Sequence, residues 1–534
     1  MAKRHDMVVI GAGFSGLYMA YKAREMGLDV HGYERGDDVG GTWYWNRYPG
    51  ASSDSQSWVY QYSFDKQLEQ DWDWSSVFPE QPEILSYLGH VADRFELRGL
   101  FEFDTSVEGI HYRDEDGMWE VTTAGGDTVE ARYVVTAVGC LSAAQAPDIP
   151  GLDSFTGRTV HTSNWPHEGL DLTGLRVGVI GTGSTGIQMI PRIAEQVAHV
   201  TVFQRTPQWA VPARNRTLTD EERADVKGRI GDIREVCRTT FLGHPYAPLE
   251  QSALAVDDDE RIRKYQEDWD EGGFSFVFGS YGDLITDERA NATVADFVRE
   301  KIRELVDDPD VAARLTPDYP IATKRLPLFA ENFFPVFNRD NVELVSLWQD
   351  PIVSVVPEGV RTESGVTELD LLIFATGFDA ITGPLLRLNI TGRDGLELAD
   401  KWRDGPNSYL GLLTRGFPNL FMITGPGSPS VLGNMPVTIE QNVDWIGDCI
   451  EHLRGVGAAI EPTEDAERGW GRHINELADA TLLGKYASWY SGSNIPGKPK
   501  SFVPYAGGFD LYLETATSVA ENGYEGFEID ANRR

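Results

Sequence analysis

The chain has 534 residues, and 83 acidic against 47 basic side chains give it a formal charge of −36 at pH 7. This length predicts two or three domains, and the acidity opposes binding to nucleic acid or to anionic membranes. The three cysteines are too far apart for a disulfide framework, a metal site or a paired redox thiol. Because no apolar run is long enough for a membrane span or a signal-peptide core, we expect a cytoplasmic protein.

The first motif is an apolar strand that runs into a glycine turn and a helix predicted over 17–26. Gly11 permits a tight turn, Gly13 lets the backbone approach a pyrophosphate, and Gly16 lets the helix pack on the strand. The next predicted strand ends in Glu34, an acid placed to accept hydrogen bonds from a ribose hydroxyl. Together these parts predict a dinucleotide-binding unit.

An aromatic and glycine-rich segment extends from Gly40 to Asp54. It predicts a long ordered loop in which Trp43, Trp45 and Tyr48 could line a planar ring. On composition alone, simple loop packing of these rings and a solvated turn acid at Asp54 are the more frequent outcome.

A second glycine turn of the same anatomy occupies residues 181–186, before a helix predicted over 187–197. The strand after this helix is followed by Arg205 instead of an acid. An arginine there suits a 2′-phosphate and predicts NADP, whereas an exposed arginine at a strand end is the alternative. Residues 155–166 join the two turns, either as an element that couples two bound cofactors or as an ordinary linker.

A charged and helical stretch begins at residue 217 and interrupts the second unit. Such an insertion often walls a substrate cavity, although acid-rich helix faces are commonly only solvated surface. Lys324 and Arg325 follow in a loop bounded by prolines, which indicates anion binding or else ordinary surface charge. The apolar runs at 133–139 and 369–378 each predict a buried strand of a parallel sheet. We therefore expect an α/β fold with two nested Rossmann-like dinucleotide-binding domains and a helical insertion.

Two sequence signatures resemble those of the type I Baeyer–Villiger monooxygenases. The pattern Phe-x-Gly-x-x-x-His-x-x-x-Trp-Pro lies between the two glycine turns, as that family requires, and is met at Phe155, Gly157, His161, Trp165 and Pro166. The second signature is met at Gly40, Gly41, Trp43, Tyr48, Pro49, Gly50 and Asp54. The related flavin-containing monooxygenases share the two-nucleotide plan, but the Trp-Pro ending favours the Baeyer–Villiger family.

The resemblance implies FAD at the first glycine turn and NADPH at the second. The FAD-binding domain then comprises residues 1–140 and 379–534, the NADP-binding domain 141–213 and 324–378, and the helical insertion 214–323. The expected FAD-binding residues are Gly11, Gly13, Gly16, Glu34, Gly41, Thr42, Trp43, Asp54 and Val107. The expected NADP-binding residues are Gly181, Thr182, Gly183, Ser184, Thr185, Gly186, Gln188, Arg205, Lys324 and Trp489.

The remaining assignments that the resemblance implies concern catalysis. Arg325 is the expected catalytic arginine, with Asp54 as the carboxylate that orients it beside the flavin. The signature residues Phe155, Gly157, His161, Trp165 and Pro166 are expected to couple the domains. The expected substrate-pocket residues are Leu432, Asn434 and Met435. Trp489 belongs to a loop, residues 486–498, that we expect to be mobile and to fold over a bound cofactor. No metal is expected.

The chemistry implied is the conversion of a ketone to an ester or lactone with NADPH and O2 through a C4a-peroxyflavin. Arg325 would stabilise the anionic oxygen atoms of this reaction. We expect cyclic or extended aliphatic ketones as substrates, sulfide oxygenation as a side reaction, and a monomer or weak homo-oligomer. The alternatives are a flavin monooxygenase that oxygenates nitrogen or sulfur, and a flavin reductase that inserts no oxygen.

Overall fold

The computed structural model describes residues 3–456 and 458–530. Its β-strands, in chain order, are β1 (Lys3–Ile10), β2 (Val30–Tyr33), β3 (Phe101–Glu102), β4 (Val107–Arg113), β5 (Met118–Thr123), β6 (Thr128–Thr136), β7 (Arg158–His161), β8 (Arg176–Ile180), β9 (His199–Gln204), β10 (Val342–Ser346), β11 (Ile352–Val356), β12 (Gly359–Thr362), β13 (Val366–Glu368), β14 (Leu371–Phe374), β15 (Ile390–Thr391), β16 (Leu420–Met422), β17 (Ala459–Pro462) and β18 (Phe527–Asp530).

The α-helices are α1 (Phe14–Glu25), α2 (Thr42–Trp45), α3 (Lys66–Asp71), α4 (Gln81–Arg94), α5 (Ser184–Ala194), α6 (Asp220–Arg238), α7 (Asp258–Glu271), α8 (Ser275–Phe278), α9 (Glu288–Leu305), α10 (Pro309–Leu315), α11 (Ala330–Phe333), α12 (Thr382–Leu386), α13 (Leu398–Lys401), α14 (Met435–Val456), α15 (Glu464–Asp479), α16 (Leu482–Lys485) and α17 (Phe509–Glu521). Within the described ranges, no helix is both long and apolar enough to cross a bilayer.

The first glycine turn belongs to a mixed sheet with the strand order β15-β4-β5-β6-β1-β2-β3, in which β16 also pairs with β6. Strand β1 runs parallel to β2 on one side and to β6 on the other. The first half of β6 pairs antiparallel with β5, and its second half pairs in parallel with β16, where Leu420 lies opposite Val134. Segments that are far apart in the chain therefore build this sheet together.

Strand β6 differs from the predicted run at 133–139 because it begins earlier, at Thr128, and ends at Thr136. Its early residues alternate between half-buried and buried, and only the last four are continuously buried. The strand extends this far because β1 supplies hydrogen-bond partners along its whole length, from Lys3 to Ile10. An alternating pattern of this kind is typical of a strand with one covered face.

The second glycine turn belongs to a fully parallel sheet with the order β10-β9-β8-β14-β7. All four residues of β14 are buried, as are the last four of β8, which is the pattern of strands covered on both faces. A three-stranded antiparallel meander, β11-β12-β13, leads into β14. Two separate sheets with glycine turns and an insertion confirm the predicted α/β class with two Rossmann-like units.

The insertion contains helices α6 to α10, but it is less helical than its charge pattern predicted. Residues 239–257 contain only one short 3-10 turn, Ala253–Ala255. Helix α6 begins with a capping box between Thr219 and Glu222. It is attached to the first unit by Arg234, whose Nε lies 3.2 Å from a carboxylate oxygen of Glu69 in a buried ion pair. On the other side, the Nε2 of Gln204 in β9 donates to the Arg314 carbonyl of α10 at 2.7 Å, so the insertion is fixed to both units.

One further prediction needs adjustment. The aromatic segment is not wholly a loop, because Thr42–Trp45 forms the short helix α2.

The long helix α14 packs on α1 of the first unit. There Asp444 accepts hydrogen bonds from the Tyr18 hydroxyl at 2.7 Å and the Lys22 ammonium at 2.9 Å.

Candidate active site

The first glycine turn has no space for side chains at two positions. Gly11 has a φ of +105°, and a Cβ there would lie 2.6 Å from the carbonyl oxygen of Ala137. A Cβ on Gly16 would lie 1.7 Å from the Gly11 carbonyl oxygen. No side chain in the described part of the chain caps α1, and its first turn contains no acid. Because uncapped N–H groups at a helix start favour an anion, this turn fits the pyrophosphate of a dinucleotide.

Glu34 lies beside this turn, and the aromatic segment packs on it. The buried Glu34 carboxylate accepts hydrogen bonds from the backbone N–H groups of Ala12 and Gly36, both at 2.8 Å. A carboxylate has lone pairs beyond these two bonds, so a ribose contact is still available. Gly13 packs against Gly41, where a Cβ would come within 2.8 Å of the Gly13 Cα. Glu34 and the glycines of this turn therefore fit FAD.

The second glycine turn repeats this construction. A Cβ on Gly181 would lie 2.4 Å from the Ala375 carbonyl oxygen, and one on Gly186 would lie 2.4 Å from the Gly181 carbonyl oxygen. Gly183 is exposed, and no described atom lies within 4 Å of its Cβ position. Helix α5 begins at Ser184 with no side-chain cap and no acid in its first turn, as far as the described residues show. This turn also fits a pyrophosphate.

Two cations lie beside the second turn. Arg205 is exposed directly after β9, and the Nζ of Lys324 lies 3.8 Å from the centroid of the Tyr319 ring. Burial lowers the pKa of Lys324, Asp318 opposes this shift, and the charge of Arg205 adds to it. Two cations that repel one another are stabilised by a multiply charged phosphate. This arrangement fits the 2′-phosphate of NADP better than a ribose hydroxyl.

The two units meet at Gln188 of α5. Its side-chain oxygen accepts a hydrogen bond from the Tyr48 hydroxyl at 2.8 Å, and its Nε2 donates to the Ser52 carbonyl at 3.0 Å. Gly50 has a φ of +84°, and a Cβ there would lie 2.5 Å from the Gln188 carbonyl oxygen. Gln188, which we predicted to bind NADP, therefore uses its side chain to hold the aromatic segment of the first unit against the second.

Arg325 and Asp54 lie together at this junction. The Arg325 Nη2 donates to the Asp54 Oδ2 at 2.7 Å, and the two side chains are 29% and 10% exposed, respectively. Burial lowers the pKa of Arg325, but Asp54 and Tyr490 outweigh that effect and raise it above its ordinary value. The guanidinium therefore stays cationic. The second carboxylate oxygen of Asp54, Oδ1, is buried and has no hydrogen-bond partner among the described residues.

The loop that carries Arg325 is held on several sides. Ala322 has a φ of +62°, which is unfavourable for a residue with a Cβ. Asn291 of helix α9 offsets this strain, because it accepts a hydrogen bond from the Ile321 N–H at 3.0 Å and donates to its carbonyl at 2.9 Å. The Gln208 amide donates to the Arg325 carbonyl at 2.5 Å. Such support fixes the position of the guanidinium before any ligand binds.

Three residues that sequence reasoning did not assign surround Arg325. The Phe274 ring centroid lies 5.0 Å from the guanidinium carbon, and the His244 ring lies 5.9 Å from Phe274. The Tyr490 pKa is raised by burial and lowered in part by the charge of Arg325 and a hydrogen bond from it. His244 and Phe274 both come from the insertion, and neither lies within a regular helix. A lone histidine between Gly243 and Pro245 gives no usable sequence signal, whereas Tyr490 lies beside the predicted Trp489.

The predicted domain-coupling residues lie along β7 and its continuation. Strand β7 pairs with β14, so that His161 lies opposite Phe374. The His161 Nδ1 is 2.7 Å from the Ser163 hydroxyl, and its Nε2 is 3.4 Å from the Thr376 hydroxyl. Burial lowers the pKa of His161, and the Gln145 backbone opposes this shift. His161 thus connects the segment that follows β7 with the segment that follows β14. Neither of these contacts is with Arg325.

The rest of that signature serves packing. A Cβ on Gly157 would lie 2.6 Å from the Asp370 carbonyl oxygen, and Phe155 packs on the cluster of apolar residues between the second sheet and the meander. Trp165 is buried in the main core, and the adjacent Pro166 carbonyl accepts a hydrogen bond from the Gly169 N–H at 3.0 Å.

The other predicted site residues do not all lie beside Arg325. The Val431 carbonyl accepts a hydrogen bond from the Arg325 Nη1 at 3.3 Å, which brings the turn with Leu432, Asn434 and Met435 beside the catalytic candidate. Val107, by contrast, packs in the apolar cluster on β4. The remaining positions are as follows: Thr42 is exposed at the start of α2, Trp43 is buried and donates to Tyr60, Thr182 is buried near Gln204, and Thr185 is half-buried in α5.

Residues 486–498 pack against the segment after β14. The Asn494 amide donates to the Phe378 carbonyl at 2.9 Å, and Lys498 forms an ion pair with Asp379. Trp489 is half-buried, and its ring centroid lies 4.5 Å from that of Tyr490. The segment thus lies next to Arg325 through Tyr490, while its predicted mobility stays a prediction. Residues 3–456 and 458–530 contain no group of three or more histidine, cysteine or acidic side chains able to hold a metal.

Comparison with known proteins agrees with this geometry. Residues 3–219 match the family model described as flavin-binding monooxygenase-like. The chain is 45% identical to a Baeyer–Villiger monooxygenase of Pseudooceanicola batsensis, over 97% of this chain and 95% of that protein. It is 42% identical to the phenazine N-monooxygenase PhzNO1 of Lysobacter antibioticus, over 99% and 97%. A closed crystal structure of cyclohexanone monooxygenase superimposes with a TM-score of 0.97 at 47% identity, over 99% of this chain and 100% of that one.

The two-sheet fold and its paired glycine turns define a flavin-dependent monooxygenase with a nicotinamide cofactor. FAD and NADPH are its cofactors, as the sequence predicted. The chain belongs to the type I Baeyer–Villiger monooxygenases, the family that the two signatures indicated. It is therefore an NADPH-dependent enzyme that converts ketones to esters or lactones.

Proposed function

We propose that Arg325 and Asp54 are the catalytic pair of this ketone monooxygenase. The observation that carries the proposal is the 2.7 Å ion pair between them. It joins the aromatic segment of the first unit to a loop of the second, at a point where both side chains are mostly shielded from water. A guanidinium in such surroundings interacts more strongly with a developing negative charge than one on the surface does.

Each residue has a distinct part in the reaction. Bound FAD, reduced by NADPH, supplies the activation of O2. Arg325 stays protonated and donates hydrogen bonds to the oxygen atoms on which negative charge develops as the ketone is oxygenated. Asp54 holds the guanidinium in one orientation, and the cation–π contact of Arg325 with Phe274 covers one of its faces. The Val431 carbonyl accepts a hydrogen bond from another N–H of Arg325, and the guanidinium has further N–H groups that it can donate to the substrate.

We assign the first glycine turn and Glu34 to FAD, and the second turn to NADPH. Arg205 and Lys324 are the proposed 2′-phosphate ligands. The uncapped starts of α1 and α5 support both assignments, because each offers backbone N–H groups to a pyrophosphate. The predicted division of the chain into 1–140 with 379–534, 141–213 with 324–378, and the insertion 214–323 is part of this proposal.

The proposed substrates are cyclic or extended aliphatic ketones. The half-buried side chains of Leu432 and Met435, together with Phe274, give the space beside Arg325 an apolar lining. A second candidate function, oxygenation of an aromatic nitrogen atom, is favoured by the similarity to the phenazine N-monooxygenase. Incubation with a phenazine and a ketone in competition, with both products measured, distinguishes the two.

We further propose a cytoplasmic enzyme that is a monomer or a weak homo-oligomer and that takes only a ketone and O2 besides its cofactors. Cys140, Cys237 and Cys449 are all free and buried, which is typical of proteins from a reducing compartment. The formal charge of −36 makes copies of the chain repel one another. Light scattering at low and high salt tests the oligomeric state.

The catalytic assignment is tested with Arg325→Ala. Removal of one preorganised donor costs roughly 100- to 1,000-fold in turnover. We expect that loss in ester formation from cyclohexanone, measured by gas chromatography at equal flavin content. Arg289→Ala is the matched control, because Arg289 is exposed on α9 and its single ion pair among the described residues is with the neighbouring Asp287. Ester formation by Arg325→Ala within fivefold of the wild type would remove Arg325 from the catalytic role.

A further inference from the structure

Besides the Asp54 Oδ1, two buried polar atoms on adjoining segments near Arg325 lack hydrogen-bond partners among the described residues. These are the Nδ1 of His244 and the Oδ1 of Asn434, on side chains that are 4% and 1% exposed. A buried polar group without a partner is costly, so such groups in native proteins commonly face a ligand or an ordered water. Two such atoms on adjoining segments can be satisfied by one polar group of a ligand.

The two segments are in direct contact. The Asn434 N–H donates to the Leu242 carbonyl at 2.8 Å, and a Cβ on Gly243 would lie 3.6 Å from the Asn434 Cβ. The Asn434 amide is also fixed in rotation, because its Nδ2 donates to the Val59 carbonyl at 3.0 Å. The free atom of that amide is therefore its oxygen, which can only accept a hydrogen bond.

His244 is fixed in a similar way. Its ring stacks on Tyr246 with the centroids 5.3 Å apart, and it meets the edge of Phe274 at 5.9 Å. The His244 carbonyl accepts a hydrogen bond from the Thr240 hydroxyl at 2.7 Å, which anchors the backbone. Burial, and secondarily the charge of Arg325, lower the pKa of His244 to about 3. The imidazole is therefore neutral at neutral pH, with one nitrogen as a donor and the other as an acceptor.

We propose that His244 and Asn434 form a hydrogen-bonding site for a second polar group of the substrate, a hydroxyl on the ketone at a position remote from the reacting carbonyl. In the proposed complex the His244 ring carries its proton on Nδ1 and donates it to the hydroxyl oxygen, while the hydroxyl hydrogen is donated to the Asn434 Oδ1. Phe274 is close to both the His244 ring and the Arg325 guanidinium, so its ring can contact the hydrocarbon part of the molecule. The preferred substrate class is thus a hydroxyketone.

This inference rests on the proposed function, because it takes Arg325 as the group that binds the reacting carbonyl. The test compares cyclohexanone with 4-hydroxycyclohexanone, which differ only in the remote hydroxyl. The readout is the ratio of the two kcat/KM values for lactone formation, measured with the FAD-loaded enzyme and NADPH. A ratio within one variant is independent of the fraction of folded protein.

We expect the wild type to prefer the hydroxyketone and His244→Phe to lower the kcat/KM ratio roughly tenfold, since one buried hydrogen bond is lost. His244→Asn places an amide where Nδ1 was and should restore most of the ratio. His111→Phe, at an exposed position of β4, is the control and should leave the ratio unchanged. Asn434→Ala should lower the ratio in the same direction as His244→Phe.

An equal ratio in the wild type and His244→Phe overturns the inference and assigns the free atoms to an ordered water. If the wild type converts neither ketone, the proposed function fails instead. In that case the dissociation constants of the two ketones, measured by thermal shift on the NADP-loaded enzyme, decide. Equal wild-type affinities overturn the hydroxyl site, whereas tighter binding of 4-hydroxycyclohexanone that His244→Phe abolishes supports it.

Discussion

Replacement of Asp54 by alanine separates the orientation of Arg325 from its charge. In this variant the guanidinium keeps its contact with the Val431 carbonyl and the Phe274 ring, but it loses the 2.7 Å bond to the carboxylate. A hydrogen bond between charged groups contributes about 1.5–3 kcal/mol. If that amount is lost from the transition state, turnover falls roughly 10- to 100-fold. We expect this decrease in the kcat for ester formation, smaller than the loss in Arg325→Ala.

The assay measures ester, NADPH consumption and hydrogen peroxide in the same reaction, at equal flavin content. Because Asp54→Ala leaves the NADPH site intact, we expect NADPH oxidation to continue and a larger share of it to appear as peroxide. Asp54→Asn keeps an acceptor oxygen without the charge and should lie between the wild type and Asp54→Ala. Glu69→Gln is the matched control, because it weakens the buried pair with Arg234 elsewhere in the protein. Equal ester yields per NADPH in Asp54→Ala and the wild type would refute this reasoning.

The remaining predictions concern the nucleotide sites and pH. Arg205→Ala should raise the KM for NADPH about tenfold or more, because a charge-assisted bond to phosphate is lost, and should leave the KM for NADH unchanged in steady-state assays. Gly186→Ala should lower the melting temperature by several degrees in calorimetry, since its Cβ would lie 2.4 Å from a carbonyl oxygen. Gly183→Ala is the control, because its Cβ would lie in open space and should leave the melting temperature unchanged. Similar melting temperatures for the two variants would contradict the glycine geometry. Burial and then Arg325 lower the pKa of His244 from 6.5 to about 3, so between these pH values the unfolded chain binds a proton that the native protein does not. As the pH falls below 6.5, the unfolding free energy of the wild type should therefore decrease by about 1.4 kcal/mol per pH unit relative to that of His244→Asn. The measurement is denaturant unfolding of both proteins at several pH values. The same dependence of unfolding free energy on pH in both proteins would contradict the burial of a neutral imidazole.

The sequence predicted the parts of the fold that depend on local rules. Both glycine turns and their helices lie within three residues of the predicted positions, because a tight turn without room for Cβ atoms requires glycine whatever surrounds it. The pairing of Arg325 with Asp54 was predicted only through the family signatures. No spacing rule connects two positions so far apart in the chain, since tertiary structure alone brings them together.

The residues that the sequence did not reveal depend on long-range packing. The pKa of His244 is lowered by burial beside Arg325. The segment that contains His244 has no regular secondary structure that a sequence pattern could predict. Asn291 belongs to no sequence motif, yet its side chain bonds to the backbone of Ile321, next to the strained residue Ala322. Gln188 was assigned to NADP through the family resemblance, and its bonds to the other unit are a second feature that the sequence did not show. In each case the chemistry is set by a neighbour that local sequence does not specify.

The position of β16 has a consequence for the order in which a ribosome-bound chain can acquire its structure. The second sheet is complete once β14 has been synthesised, at Phe374, because all five of its strands lie between Arg158 and that residue. The first sheet stays incomplete until β16 has been synthesised and Leu420 reaches Val134. The inner unit can thus fold before the outer one that begins the chain, and the exposed edge of β6 must await a distant partner. Nascent chains that end before residue 419 should therefore protect the second sheet from proteases while the edge of β6 stays open to a chaperone.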